Sequence, residues 1–189
     1  RLVARRTALT LVIGTAVLSL CGLSLIVSGR DRIVDSNSAI HRMQTIAPGF
    51  VVESRETRYQ NLTTVLVSGQ YTVYGNGEPL MTFPDPYLEE KEAFTILAQH
   101  ESPARVLVMG GGPSFVCAVR AYGIASIDYV EMDPVVVEVA RKYVSDFAAA
   151  GTDSADVHMH FGDARRFFED RGASAPFDVI IVRMPDPRT

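Results

Sequence analysis

The architecture of this chain turns on Val106-Leu107-Val108-Met109-Gly110-Gly111-Gly112. Four apolar residues in a row, closed by glycines, read as a strand of a parallel sheet covered on both faces, because a strand with one wet face alternates. The glycines let the backbone approach a ligand closely, and the helix after them offers free N–H groups. Downstream, a helix covers Phe115 to Tyr122, and a strand from Ile127 to Val130 ends in Glu131-Met132-Asp133. A helix from Val135 to Val144 follows Pro134, a preferred first helical position. Val157–Phe161 is a third strand, Gly162-Asp163-Ala164 leads into a helix with Phe167 and Phe168, and Val179–Val182 is a fourth strand. This alternation predicts the first half of a doubly wound α/β sheet, strand order 3-2-1-4, with the C-terminal half missing.

Upstream the period changes. Phe50 to Phe83 reads as antiparallel strands: Asn61–Val67, a turn at Ser68-Gly69, Gln70–Tyr74, a hairpin turn at Gly75-Asn76-Gly77, and Glu78–Phe83. Pro84-Asp85-Pro86 closes this unit. Tyr87 to His100 is a helix whose acidic start (Glu89, Glu90, Glu92) suits its positive N-terminal dipole.

Before these strands, Thr7 to Ser28 is a run of 22 residues without a charge. As a helix it spans about 33 Å, against roughly 30 Å of hydrocarbon. It lacks the polar face of a soluble helix, and it is long for a signal peptide, with no clear A-x-A site after it. A transmembrane helix is expected there. Arg1, Arg5 and Arg6 precede it and Arg30, Asp31 and Arg32 follow it, so flanking charge leaves orientation open. Asp31 to Ile46 reads as a short helix that either rests on lipid or serves as a plain connector. The expected organisation is a transmembrane helix at 7–28, a connector helix at 29–49, an antiparallel β domain at 50–86 and a nucleoside-binding domain at 87–189. The start at Arg rather than Met reads as a piece of a longer protein.

Composition excludes several classes. Of 189 residues, 47 % are hydrophobic and 21 % charged, which excludes a disordered tail. A net charge of -4 gives no basic field for nucleic acid. Cys21 and Cys117 are too few for a disulfide scaffold or a structural zinc site. Cys117 reads as a small buried apolar residue, and His158 and His160 as ordinary strand residues, so no metal site is expected.

Three features fall at the carboxyl ends of adjacent strands, where such sheets bind ligands. They are Gly110-Gly111-Gly112, Glu131 about 20 residues on, and Asp163. A carboxylate at Glu131 can accept from both hydroxyls of a ribose, and Asp163 is placed to accept from an exocyclic amine such as adenine N6. Each alone has a bland reading: a tight βα turn, or a helix cap, as Asp133 before Pro134 is read. Together they point to an adenosine-type ligand. The loop is not G-x-G-x-x-G and, followed by Pro113-Ser114, has no P-loop lysine, which favours an S-adenosyl-type ligand over a dinucleotide or nucleoside triphosphate.

Residues from about 50 onward resemble the spermidine synthase (polyamine aminopropyltransferase) family, most of all bacterial members fused to membrane helices. The resemblance is carried by Tyr59-Gln60-Asn61-Leu62, Gly75-Asn76-Gly77, Phe83-Pro84-Asp85-Pro86-Tyr87, Val106–Gly112, Asp128-Tyr129-Val130-Glu131-Met132-Asp133-Pro134, Gly162-Asp163-Ala164 and Phe177–Val182. It implies a Rossmann-like sheet of the S-adenosylmethionine-dependent methyltransferase type. It also implies transfer of an aminopropyl group from decarboxylated S-adenosylmethionine, a co-substrate, to a polyamine such as putrescine, with no other cofactor required. By the same resemblance, Gln60 contacts the sulfonium nucleoside, the Gly110–Gly112 loop holds its tail, Glu131 its ribose, and Asp163-Ala164 its adenine. Family members often pair as homodimers. Cytosolic donors imply a domain on the cytoplasmic side of an inner or cell membrane, whereas the three N-terminal arginines alone place it outside.

The chain departs from the family at three places. Gly-Gly-Gly-Asp-Gly becomes Gly110-Gly111-Gly112-Pro113-Ser114, losing the Asp that holds the aminopropyl ammonium. Asp-Ser-Ser-Asp-Pro becomes Arg183-Met184-Pro185-Asp186-Pro187, so Arg183 stands at the family's base position and Asp186 survives. Tyr-His becomes Glu90-Lys91, while Glu92 matches. An alkylammonium must lose a proton before attack, and arginine can neither take it nor attract the cation. Two like charges about 4 Å apart repel by about 4 kcal/mol at an effective dielectric near 20, unless Arg183 turns away. Asp186, Glu90 and Glu92 are alternative acids, each also readable as a solvated surface group. Three functions stay open: an aminopropyltransferase with a polyamine acceptor, another S-adenosylmethionine-dependent transferase in which Arg183 meets an anion, and a catalytically inactive nucleoside-binding module of a membrane protein.

Overall fold

The computed structural model describes residues 49–85, 87–143, 155–171 and 176–184, with Ser19, Ser24 and His41 each helical. The chain divides into two compact units, Arg1–Arg42 and Met43–Thr189. The expected transmembrane helix, the connector helix and Asp186 fall outside the described residues, apart from those three positions and Gly49. Among the described residues no helix is long and apolar enough to cross a membrane.

The second unit carries two four-stranded sheets. The first is an antiparallel meander of β1 (Phe50–Glu56), β2 (Asn61–Val67), β3 (Gln70–Gly75) and β4 (Glu78–Phe83). Its two tight turns place Ser68-Gly69 and Asn76-Gly77 at positive φ, the conformation whose twist matches paired strands. Gly75, expected in the turn, instead ends β3, outside the positive-φ region. Its missing side chain has another use: a Cβ there would collide with the Gln60 carboxamide oxygen and the Leu80 side chain.

The second sheet is parallel. Helix α1 (Leu88–Leu97) leads into β5 (Arg105–Gly110), followed by α2 (Pro113–Arg120), β6 (Ser126–Glu131), α3 (Pro134–Tyr143), β7 (Val157–Phe161), α4 (Ala164–Arg171) and β8 (Val179–Arg183). The order β7-β6-β5-β8 is the 3-2-1-4 arrangement expected from the strand–helix alternation. Val106, Leu107 and Val108 are wholly buried, as a two-faced strand requires. Val106 and Val108 face a core shared with Leu62, Val73, Met81 and Phe83 of the meander, Ala93 and Leu97 of α1, and Phe115, Val116 and Val119 of α2. Leu107 and Met109 face the other way, with Val130, Ala164, Phe167 and Phe177. The meander and the parallel sheet therefore close one hydrophobic core between them.

Helix α2 begins two residues before the expected Phe115. Pro113 takes the first helical position, where its missing N–H costs nothing, and Gly112 is the cap at φ 78°. Asp178 fastens β8 by accepting from the N–H groups of Ala104 and Arg105 at 2.9 and 2.8 Å. Those donors hold its carboxyl below the usual range.

Leu107 is the most deeply buried member of the smaller core. Leu107→Ala is expected to lower the free energy of unfolding by about 2–5 kcal/mol, read from urea denaturation, with the helical circular-dichroism signal retained at zero denaturant.

Candidate functional site

Parallel pairing fixes the register of the strand ends. Gly110 stands opposite Arg183, and Glu131 opposite Phe161. The carboxyl edge of the sheet thus brings the glycine loop, Glu131 and Arg183 together at one rim.

Gly110, Gly111 and Gly112 all have positive φ, between 71° and 79°. Three successive residues in this region are steep for any side chain but open to glycine. Space adds a second constraint. A Cβ on Gly111 would lie 2.7 Å from the Arg183 Cβ, and one on Gly112 would lie 2.9 Å from the Met81 sulfur. The loop is pressed between β8 and the meander.

Glu131 is buried, and burial raises its carboxyl above the ordinary carboxylate pKa. Hydrogen-bond donors from Asp133, Tyr129 and Met132 oppose that shift. The Tyr129 hydroxyl donates to Oε2 at 2.8 Å and the Asp133 N–H donates to Oε1 at 3.1 Å. Tyr129 lies two residues earlier on the same face of β6, so strand geometry alone points its side chain alongside. Its phenol is itself pushed up by burial and by the carboxylate beside it.

Asp133 caps α3, as expected, by accepting from the Val135 N–H at 3.1 Å. It also does more. Its other oxygen accepts from the Thr57 hydroxyl at 2.7 Å and lies 3.5 Å from the Gln60 carboxamide nitrogen. Thr57 in turn accepts from the Gln60 N–H at 3.1 Å. The β1–β2 corner is therefore tied to the tip of β6, and Gln60 is brought to the rim. Nothing in the spacing of Thr57 and Asp133, 76 residues apart, signals this contact.

A cavity of about 370 Å³ opens at this rim. Gln60, Gly110, Gly111, Gly112, Glu131, Ala164 and Arg183 all border it, so most of the sequence-derived candidates converge. Tyr59, Asn76, Leu80 and Met132, which carry no site signal in the residue pattern, border it too. Asp163 borders an adjoining depression together with His160, Arg166 and Phe167; one of its oxygens accepts from the Arg165 N–H at 2.7 Å, a helix-capping contact. The volume lies in the range of small-molecule sites, and its polar groups are few and convergent.

Arg183 borders the cavity and lies across Gly111. One guanidinium nitrogen is 3.0 Å from Glu92 Oε2, another donates to the Gly111 carbonyl at 3.3 Å, and the guanidinium carbon is 4.1 Å from the Phe115 ring centroid. Glu92 is thus not a freely solvated surface acid, and the expected repulsion from Arg183 is offset by a partner carboxylate. Glu90 remains exposed.

Glu89, part of the acidic helix start, is buried, because α1 packs on α2. It accepts from the Ser114 hydroxyl at 2.7 Å, and burial pushes its carboxyl up to about 7. The Pro113-Ser114 departure therefore supplies a partner for a buried acid. Cys117 is half-buried, its thiol raised to about 11 chiefly by burial, which keeps it protonated and unreactive. His160 is paired with Asp128 at 2.7 Å and packs on Phe167, while His158 is exposed.

The comparisons with known proteins follow the same residues. A sequence model of the spermine/spermidine synthase domain matches residues 90–189. A polyamine aminopropyltransferase of Mycobacterium tuberculosis is 31 % identical over 144 residues, covering 74 % of this chain and 27 % of that protein. One of Streptococcus pneumoniae is 36 % identical over 115 residues, covering 59 % of this chain and 39 % of that protein. The chain thus spans well under half the length of these relatives. Among solved structures, a spermidine synthase in complex with the transition-state analogue AdoDATO superposes with a TM-score of 0.60 at 22 % identity, over 72 % of this chain and 47 % of that one. The spermidine synthase of Thermotoga maritima gives 0.59 at 22 % identity, over 73 % and 48 %. These two likenesses establish a common α/β fold.

Two outcomes are expected from the buried acids. Tyr129→Phe leaves Glu131 Oε2 without its buried donor; it should cost about 1–3 kcal/mol in urea unfolding and raise the Glu131 pKa further, read by carboxyl NMR titration. For Glu89, a carboxyl whose folded pKa exceeds its unfolded one favours the fold while protonated. Its contribution is full below pH 4.5 and is lost as pH rises through about 7. Wild type should therefore lose about 3 kcal/mol relative to Glu89→Gln between pH 4.5 and pH 8, measured by denaturant unfolding of both proteins.

Proposed function

We propose, from the premise that this chain belongs to the spermine/spermidine synthase family, that it binds a sulfonium nucleoside at the strand tips and takes part in aminopropyl transfer to a polyamine. The observation that carries this reading is the buried Glu131 carboxylate, held by Tyr129 and Asp133 at the wall of a cavity that Gln60 and the glycine loop also line. Its position suits a pair of ribose hydroxyl donors. Ala164 and Gly162 border the cavity and suit contact with the base, with Asp163 beside them. The co-substrate of this reading is decarboxylated S-adenosylmethionine.

In that reaction the acceptor nitrogen forms a bond to the aminopropyl carbon attached to sulfur. The carbon–sulfur bond breaks, its electron pair neutralises the sulfonium, and methylthioadenosine leaves. The acceptor ammonium gives up one proton overall. A carboxylate serves as base; Asp186 and the α1 acids Glu89 and Glu92 are the candidates, since Arg183 cannot accept a proton at neutral pH. Ionised Glu131 is needed for the ribose grip. Because its pKa is raised, nucleoside affinity falls on acidification from a pH above the ordinary carboxylate range.

Arg183 favours a second reading, in which the cavity still takes the nucleoside but the chain is a binding module without turnover, or a transferase using S-adenosylmethionine itself. We further propose attachment to a membrane through Thr7–Ser28, with the α/β unit on the cytoplasmic side, and self-association as a homodimer.

Titration calorimetry with methylthioadenosine tests the nucleoside site. Glu131→Ala is expected to weaken binding about 10- to 150-fold, as loss of hydrogen bonds to a charged group implies. No heat with methylthioadenosine, decarboxylated S-adenosylmethionine or S-adenosylmethionine overturns the reading. Incubation with decarboxylated S-adenosylmethionine and putrescine then separates the functions: methylthioadenosine release supports the transferase, and binding without release with any amine supports the module.

A further inference from the structure

The surroundings of Arg183 are those of a cation receptor. Three electron-rich groups from three elements converge on its guanidinium: the Glu92 carboxylate of α1, the Phe115 ring of α2 and the Gly111 carbonyl of the loop. The ring is wholly buried and fixed, and the loop carbonyl is held by three positive-φ glycines. A buried Glu89 stands close enough for its carboxyl to be lowered in part by Arg183. Aromatic face, carboxylate and carbonyl together are the set that binds alkylammonium and guanidinium groups. The Arg183 stem lies flat across Gly111, and the residue borders the cavity where the loop turns away from the sheet.

We infer that Glu92, Phe115 and the Gly111 carbonyl form a receptor for an alkylammonium cation, and that Arg183 is its built-in occupant, a plug that an amine must displace. The inference deepens the transferase reading, on which it rests for the identity of the cation as the amine acceptor. The physical reason is competition within one chain. A tethered cation meets its receptor at a high effective concentration, so a free amine sees only the fraction of molecules in which Arg183 has swung out. The receptor binds amines weakly while the plug is in place and tightly once it is removed. Charge supports the same occupant, because Glu92 with no Arg183 is an uncompensated anion beside a buried ring.

The test uses the full chain and calorimetric titration with two probes, 1,4-diaminobutane and methylguanidinium, each with and without saturating methylthioadenosine. Arg183→Ala should bind both cations at least tenfold more tightly than wild type. Arg183→Met keeps an apolar stem across Gly111 and removes the guanidinium; it should gain at least threefold, and it serves if the alanine variant fails to fold. Adding Glu92→Gln to either variant should return cation affinity to the wild-type level. Equal cation affinity in wild type and both Arg183 variants overturns the plug, and an undiminished gain in the Glu92→Gln double variant overturns the receptor. If methylthioadenosine fails to bind but Arg183→Ala still gains cation affinity, the nucleoside reading falls and the receptor stands.

Discussion

A carboxylate at the buried tip of β6 has to be kept supplied with hydrogen-bond donors, and much of the surrounding structure answers that need. Desolvation works against the charge on Glu131, while the Tyr129 hydroxyl and the Asp133 N–H work for it. Asp133 is itself buried and has to be satisfied in turn, which the Thr57 hydroxyl does from the antiparallel meander. A chain of polar contacts therefore runs from the parallel sheet through the start of α3 to the β1–β2 corner. It fixes Gln60 beside the cavity as a consequence. Such a network holds only when every member is paired, so the two sheets and the site stand or fall together.

The glycine loop is the second point where local chemistry and global packing meet. Its backbone conformation needs three glycines, and its neighbours need the space that side chains would fill. Met81 approaches from the meander and Arg183 from β8. The loop therefore acts as a spacer between three elements as well as a wall of the cavity. Arg183 uses that space to reach Glu92 and Phe115, which converts a residue that repels cations in isolation into one half of an ion pair.

Much of this was legible in the sequence. The unbroken apolar run of β5, the glycines after it and the spacing to Glu131 carry the parallel sheet and its strand order. Asn76-Gly77 carries a hairpin because few residues accept positive φ at both turn positions. Tyr129 was within reach as well, since residues two apart on a strand share a face. Other features left no periodic or compositional mark. Glu89 reads only as part of an acidic helix start; its burial follows from α2 packing against it and Ser114 meeting it. Gly75 reads as a turn residue until the Gln60 side chain is laid beside it. The tie between Thr57 and Asp133 depends on how two distant corners are folded together.

Residue type and chain order carry the order and kind of the strands and helices, the glycine conformation of the loop and the presence of an acid at the end of β6. These follow from side-chain period, backbone sterics and chain order, which are local properties. Packing in three dimensions settles which acids are buried, which are paired, and that Arg183 lies over Phe115 with its charge against Glu92. Burial and Coulomb attraction depend on what stands within a few ångströms, and those neighbours come from residues as far apart as Glu92 and Arg183, or Thr57 and Asp133, which chain order does not bring together.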